Sequence, residues 1–534
     1  MRLKIILFFF FIHFSSFGQN IAEEEVCAHI SKNITAVGDE IWFYLQVNSY
    51  RSPGHSKMAY VELVDRKNLP VFQSIIPLEQ GKAEGMIKIP SSLQSDNYLL
   101  RFYTRTSPIF SQNGKGVFNK FITIINPKKG PSRIQNSPSL KNYTFENPGV
   151  FMNQKSRVNK QSEIPIQLDF IQDTFNISVS IKNPFLNPDL QGSIGQEIYQ
   201  PLKNPKIIPE LFGHIVHGKN LAAQIDTAET FFLSAHGKQS VLHAAKPDKG
   251  GNLFFDLGPL KAYDFLIAQS YQHEKQLNFE PQSPFLPFLF EEDFNFPPLE
   301  LNEKDREFLE KILLSAQLIP HFYPSESFFA SPIVTGFVAD RTYYLDDFTR
   351  FENLETTLRE YVPEVLVRKQ SRTTIFKLIN APLNALFQDN PLILIDAMPV
   401  FDTEKLANFD PKGIQKLEVL NREFSFNQDK FSGVLSLTSF DNDFGKIELP
   451  INSLYLNYWE LMPKWKLKTP HFNPHLDEAN YPDFRSSLFW STEQLKNAFS
   501  IKASSISGDF EIIISYPDKD GNLNFKVALL QVMD

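Results

Sequence analysis

The chain has one cysteine, Cys27, in 534 residues. No intramolecular disulfide can form, so stability must come from apolar cores. After Phe14 there is no apolar run of the roughly 20 residues that a membrane-spanning helix needs. Lysine and arginine number 53 against 61 acidic residues, a formal charge of −8. With no basic stripe, charge excludes a nucleic-acid-binding role. The short signatures of chemistry are also missing. There is no Gly-x-Ser-x-Gly elbow, no His-Glu-x-x-His and no phosphate-cradling glycine loop, so no catalytic residue, cofactor or metal site is expected. His214 and His217 would fall on opposite faces of a strand. Asp518-Lys519-Asp520-Gly521-Asn522 has the wrong spacing for a calcium loop, with Leu529 where the bidentate glutamate should stand, and reads as a hairpin turn. Carboxylate pairs carry no discriminating signal among so many acids.

What the chain has in quantity is aromatic: 51 phenylalanines and 17 tyrosines against 23 glycines, a composition that favours strands. Arg2 and Lys4 precede the largely apolar run Ile5–Phe14, and Ser16 and Gly18 suit the −3 and −1 positions of a cleavage site. Residues 1–18 therefore read as a secretory signal peptide. Cys27 follows three glutamates and a valine rather than an apolar lipobox. The remainder is long enough for three to five domains at roughly 100–200 residues each.

Residues 25–126 read as a β-sandwich. Ile41, Phe43, Leu45 and Val47 alternate with Trp42, Tyr44, Gln46 and Asn48, the period of a strand with one buried face. Similar runs recur at 59–64, 71–76, 85–89, 98–104 and 121–125, separated by turn signals such as Asp65-Arg66-Lys67-Asn68. The segments Val37-Gly38-Asp39-Glu40-Ile41-Trp42-Phe43, Ala59-Tyr60-Val61-Glu62-Leu63, Gly81-Lys82-Ala83-Glu84-Gly85 and Asn97-Tyr98-Leu99-Leu100-Arg101 resemble a macroglobulin-type domain of Bacteroidetes envelope proteins. Residues 127–163, rich in Pro, Ser, Asn and scattered Lys and Arg, read as a solvated linker, with a basic tether to anionic lipid as the alternative. A partial or degenerate sandwich is expected at 164–204.

Residues 207–275, with Glu210-Leu211-Phe212-Gly213-His214-Ile215-Val216 and the turn Asp248-Lys249-Gly250-Gly251-Asn252, resemble a carboxypeptidase regulatory-like sandwich. In its known settings that is a structural module. A connector at 276–343 contains the helix 302–318, capped by Asn302, with Phe308, Ile312 and Leu313 on one face.

Residues 344–445 run helix, strand, tight turn, helix, strand, hairpin, strand. Their Leu392-Ile393-Leu394-Ile395-Asp396-Ala397-Met398-Pro399 and Gly433-Val434-Leu435-Ser436-Leu437 resemble the plug domain of TonB-dependent receptors. Ala397 stands where the plug turn usually has glycine, so that turn must avoid positive φ or carry strain. Too few residues follow Phe440 for a barrel of its own. The domain is then a spacer, or it engages a barrel or complex made by another chain through Asp396, Met398 and Pro399. Residues 478–534, opening on Tyr481-Pro482-Asp483-Phe484-Arg485, resemble a C-terminal macroglobulin-like sandwich. Cys27-Ala28-His29-Ile30 lacks the Cys-x-Glu-Gln motif of thioester macroglobulins. Asp226-Thr227-Ala228 resembles a short O-glycosylation acceptor, with Thr227 as the modified residue.

The expected fold class is mainly β and multidomain: immunoglobulin-like or macroglobulin-like sandwiches plus one α/β plug-like domain. The expected function is a non-catalytic scaffold or accessory subunit, exported to the periplasm, outer membrane or cell surface, that binds an outer-membrane protein or complex. A protease-trapping or host-interacting macroglobulin without a thioester, with 127–162 as bait, is the alternative. An enzyme with an unrecognised site is a further one.

Overall fold

The structure is a computed structural model. It describes residues 23–534 except 51–55, 132–139, 141, 151–155, 168–174, 204–206, 238–239, 260–261, 272–276, 323–324, 329–338, 371–372, 468–482 and 494–497. Residues 1–18, read above as a signal peptide, lie outside the described residues. The protein is mainly β and built of several units. Among the described residues no helix is long and apolar enough to cross a membrane.

The N-terminal sandwich packs the sheet Glu23–Ile30, Glu40–Tyr50, Lys82–Lys88 against a sheet ordered Ser193–Ile194, Val117–Ile125, Asp96–Tyr103, Met58–Val64, Pro70–Pro77. The alternation expected of Glu40–Tyr50 is present. Ile41, Phe43, Leu45 and Val47 enter the core between the sheets, where Phe43 meets Phe102 at 5.0 Å. The opposite face is covered as well. Trp42 packs with Trp490, and Asn48 Nδ2 donates to Asn522 Oδ1 at 3.2 Å, so this face docks on a second sandwich.

That second sandwich corrects the expected domain order. Asn176–Ile181 lies between Gly508–Pro517 and Ser487–Ser491, while Glu163–Gln167 pairs with Ala498–Lys502. Strands Glu163–Gln167 and Asn176–Ile181, from the segment read as a degenerate sandwich at 164–204, form one unit with strands of the segment read as a separate sandwich at 478–534, while Ser193–Ile194 of the former joins the N-terminal sandwich. Each part carries too few strands to cover an apolar face alone. Part of the expected linker also belongs to it. Ser156–Asn159 runs parallel to Leu523–Met533, whereas Phe145 is buried on the N-terminal sandwich, stacked on Phe121 at 5.8 Å. The polar composition of 127–163 hides these anchors. The helix Arg306–Phe322, preceded by a capping box of Asn302 and Asp305, lays Phe308, Ile312 and Leu313 on this sandwich.

A third sandwich is likewise interrupted. Asn252–Asp256, Ile215–Asn220 and Phe279–Pro281 form one sheet. Val241–Ala245, Phe231–His236, Phe265–Ser270 and the distant Ser453–Leu456 form the other. Between its last two strands in sequence sits the α/β unit. Its five-stranded sheet runs Arg341–Tyr344, Ile414–Leu420, Val434–Ser439, Leu392–Ile395, Met398–Pro399, with Leu392–Ile395 parallel to Val434–Ser439. Helices Leu354–Tyr361 and Thr403–Ala407 and the hairpin Phe424–Phe426/Asp429–Phe431 stand in the expected order. The hairpin reaches back to the third sandwich, where Asp429 pairs with Lys246 at 2.9 Å. The units are therefore nested: α/β within the third sandwich, and that within the second.

Candidate functional site

The turn singled out in the α/β unit is a two-residue hairpin in which Ile395 pairs with Met398. Asp396 and Ala397 both take positive φ, 46° and 67°. The turn thus accepts strain at Ala397, about 1–2 kcal/mol for an L-residue in the left-handed region. The Asp396 carboxylate compensates by accepting from Ser439 N at 2.7 Å, Ser439 Oγ at 2.5 Å and Phe444 N at 2.9 Å. Burial raises its pKa, against those hydrogen bonds. Asp396 is 3% exposed and Met398 0%. Pro399 is buried too, its carbonyl accepting from Gln269 Nε2 at 3.1 Å. The expectation that Asp396, Met398 and Pro399 form a contact surface is corrected here: all three face inward and hold the turn to its own sheet and to the third sandwich.

Thr227 is exposed at a turn that Asp226 caps through Ala228 N at 2.9 Å. It borders a pocket of about 600 Å³ shared with Asn220, Gln224, Glu229 and Asn278. His214 and His217 diverge as expected. His217 stacks on Phe254, whereas His214 is fully buried.

His214 belongs to a polar junction that the sequence reading missed. Glu210, 1% exposed, accepts from Tyr60 OH at 2.8 Å and Ile215 N at 2.9 Å and contacts His214 Nδ1 at 2.8 Å. Arg105 lies 3.4 Å away and donates to the Ile215 carbonyl. Tyr458 OH meets His214 Nε2 at 3.2 Å. Burial pushes Glu210 up, but Arg105 and His214 outweigh it and hold the carboxyl below its ordinary value. Burial lowers His214. The junction ties the N-terminal sandwich to the third one, and every group in it is occupied.

A second junction binds the N-terminal sandwich to the split one. His29 points out of the sheet and places Nδ1 2.8 Å from Ser515 Oγ and Nε2 2.9 Å from Ser178 Oγ, with Trp490 edge-on at 5.1 Å. Burial, reinforced by Lys120, lowers its pKa to about 3.

Beside it opens a cleft of about 960 Å³ between the two sandwiches. One wall is Glu25 to Ile30, another is Val117, Phe118 and Lys120, and a third is Leu523 to Phe525. Lys120 is the one charged residue of Val117–Ile125, the one sequence signal that could have marked it. Burial lowers the Lys120 pKa, while Glu511 opposes that shift. Burial also raises Glu511 and pushes the Cys27 thiol up to about 12.

A protonated thiol is a poor nucleophile, and a histidine with both nitrogens engaged is not a free base. The lining suits binding better than covalent chemistry. Perturbed ionisable groups in an interdomain cleft are a common mark of a ligand site.

No family model matches the chain, and no curated protein matches it at a significant level. Among solved structures, α2-macroglobulin of Escherichia coli activated by porcine elastase aligns with 96% of this chain and 44% of its own at 6% identity, TM-score 0.21. The chain spans less than half of that protein. The tandem V-type regions of a v-region-containing chitin-binding protein align with 48% of this chain and 97% of their own at 9% identity, TM-score 0.15. A CARDB domain from Pyrococcus furiosus aligns with 20% of this chain and 90% of its own at 11% identity, TM-score 0.16. At these scores the alignments carry no functional argument, and the sandwich assignment rests on the strand pairings above.

Proposed function

We propose that this chain is an exported, non-catalytic binding protein of a Gram-negative cell envelope, acting as a scaffold or accessory subunit for an outer-membrane protein or complex. The observation that carries the reading is how its polar groups are used. Glu210, His214, Arg105 and His29 are spent on joining sandwiches, while a roomy cleft remains open between them. A body held together in this way presents surfaces at fixed spacing, which is what a scaffold requires. The signal-like N-terminus supports export, and the macroglobulin-like and plug-like resemblances of the sequence support the envelope setting. Within the 127–162 stretch, the burial of Phe145 and the pairing of Ser156–Asn159 argue against those residues as protease bait, because bait must be accessible. Crosslinking in native membranes followed by mass spectrometry tests the reading. It is expected to join this chain to an outer-membrane protein, and crosslinks confined to the chain itself would overturn it.

A further inference from the structure

The α/β unit carries a second, smaller sheet, Val365–Gln370, Thr373–Asn380 and Ala385–Leu386 in that order. Its register fixes which side chains share a face, because neighbours along a strand point to opposite sides. Val365 stands opposite Leu378 and Val367 opposite Phe376, and this face joins the core of the unit with Leu354 and Leu358. The other face holds Leu366 and Arg368 against Lys377 and Ile375, with Ile379 against Leu386. Its four aliphatic residues stand outside that core. Ile379 and Leu386 are each 38% exposed, and Arg368 is exposed beside them.

The turn between the last two strands extends this apolar surface. Ala381-Pro382-Leu383 is a turn of 3-10 helix closed by Asn384 at φ 45°. Every residue from Ala381 to Leu386 is exposed and five of the six are apolar, with Leu383 at 73%. No charged side chain occurs between Lys377 and Asp389. Single exposed aliphatics are ordinary, but a contiguous group of them marks an interaction surface.

The charges behind the turn select the occupant. Among the described residues neither Arg368 nor Lys377 has an ion-pair partner. The acids around the sheet are committed elsewhere. Glu364 accepts from Tyr343 OH at 2.6 Å and lies 3.5 Å from Arg341, Glu404 accepts from Thr374 N at 2.9 Å, and Glu423 pairs with Lys430 at 2.8 Å. Lys377 stands three residues before the strand ends at Asn380, about 10 Å at ~3.3 Å per residue. That spacing matches the roughly 5–10 Å to which an interfacial element buries its apolar side while its cations stay among the headgroups. We infer that this face of the α/β unit rests on a bilayer containing anionic lipid, with Leu383 entering the acyl boundary and Arg368 and Lys377 meeting lipid phosphates. An acidic protein surface would match the cations but leave the uncharged turn without an apolar cover. The inference rests on the envelope reading above and adds a lipid contact to it.

The test is cosedimentation of residues 19–534, which keep every described residue, with vesicles of phosphatidylcholine alone or of phosphatidylcholine with phosphatidylglycerol. The chain is expected to pellet with the anionic vesicles and to be released by high salt. Arg368→Gln with Lys377→Gln should weaken that binding about thirtyfold, from two cations near the surface. Leu383→Asp should weaken it about tenfold or more, from one lost apolar anchor. Circular dichroism checks that both variants fold. Should either fail, the unaltered protein still decides through its preference between the two vesicles. No binding to anionic vesicles, equal binding to both compositions, or native binding by folded Leu383→Asp would each overturn the inference. If vesicle binding fails while membrane crosslinks still recover an outer-membrane protein, only the lipid contact is wrong; if both fail, the envelope reading goes with it.

Discussion

Acid should open the junction at His29. In the folded chain this imidazole gains a proton only near pH 3, whereas in the unfolded chain it does so below about 6.5. Between those values the unfolded state binds more protons, so stability rises with pH across this window and is lost as pH falls through it. The geometry explains the penalty. Neutral His29 offers one donor and one acceptor to two serine hydroxyls, but the imidazolium would have two donors and no acceptor, in a buried site that already faces Lys120.

At pH 4.5, about two units below the unfolded value, the lost stability is roughly 2.7 kcal/mol at 1.36 kcal/mol per unit. His29→Gln keeps one donor and one acceptor and cannot titrate. Urea midpoints read by tryptophan fluorescence, with Trp490 5.1 Å from the ring, should therefore fall more steeply with acid in the native chain than in H29Q. The gap between the two should change by about 2–3 kcal/mol from pH 7 to 4.5. Parallel pH profiles would refute the assignment of this proton deficit to His29. His236, whose pKa burial also lowers to about 3, titrates in both proteins and cancels from the comparison.

Three further outcomes follow from the same structure. Glu210→Ala leaves Arg105 buried without its carboxylate, and chemical denaturation should show a loss of about 3–5 kcal/mol, against about 1 kcal/mol for Tyr60→Phe. Ala397→Gly should stabilise the α/β unit by up to ~1 kcal/mol, the left-handed penalty less the extra entropy of glycine, while Asp396→Ala should destabilise it by roughly 2–4 kcal/mol; slower and faster amide exchange at 392–400 would report the two. With the thiol pushed to about 12, Cys27 should react with iodoacetamide at pH 8 on the order of 10³-fold more slowly than a free thiol, and labelling at the free-thiol rate would mean that the cleft wall opens.

Much of the fold was legible in the sequence because the elements announce themselves locally. The alternation in Ile41–Asn48, the cap at Asn302 and the order of elements from Leu354 to Ser439 all depend on neighbours within a few residues. The role of the Asp396–Ala397 turn was not legible. Its apolar flanks and missing glycine mark an unusual turn, but whether a carboxylate points at solvent or at Ser439 depends on a strand more than forty residues away. Glu210, Arg105 and His29 were missed for the same reason. A buried charged residue looks like any surface residue until its partner, in another sandwich, is known. Lys120 left a faint trace, the one charged residue in the largely buried strand Val117–Ile125.

The nesting of the units was illegible for a different reason, which bears on how the chain folds. Asn176 and Ser515 share a hydrogen bond across 339 residues, and nothing in either segment names the other. Each doubling of a closed loop adds only about 0.6 kcal/mol, so placing whole units inside a sandwich is thermodynamically mild. Kinetically it imposes an order, because long-range pairings form only once the intervening chain is compact. The α/β unit closes on contacts between 341 and 439. Its compaction brings Ser453–Leu456 to Phe265–Ser270. Completion of that sandwich then brings Ser487–Ser491 and Gly508–Pro517 to Asn176–Ile181. On this sequence the cleft, whose walls come from both ends of the chain, is the last feature to exist. A cleft that depends on the final closure is expected only in completely folded molecules.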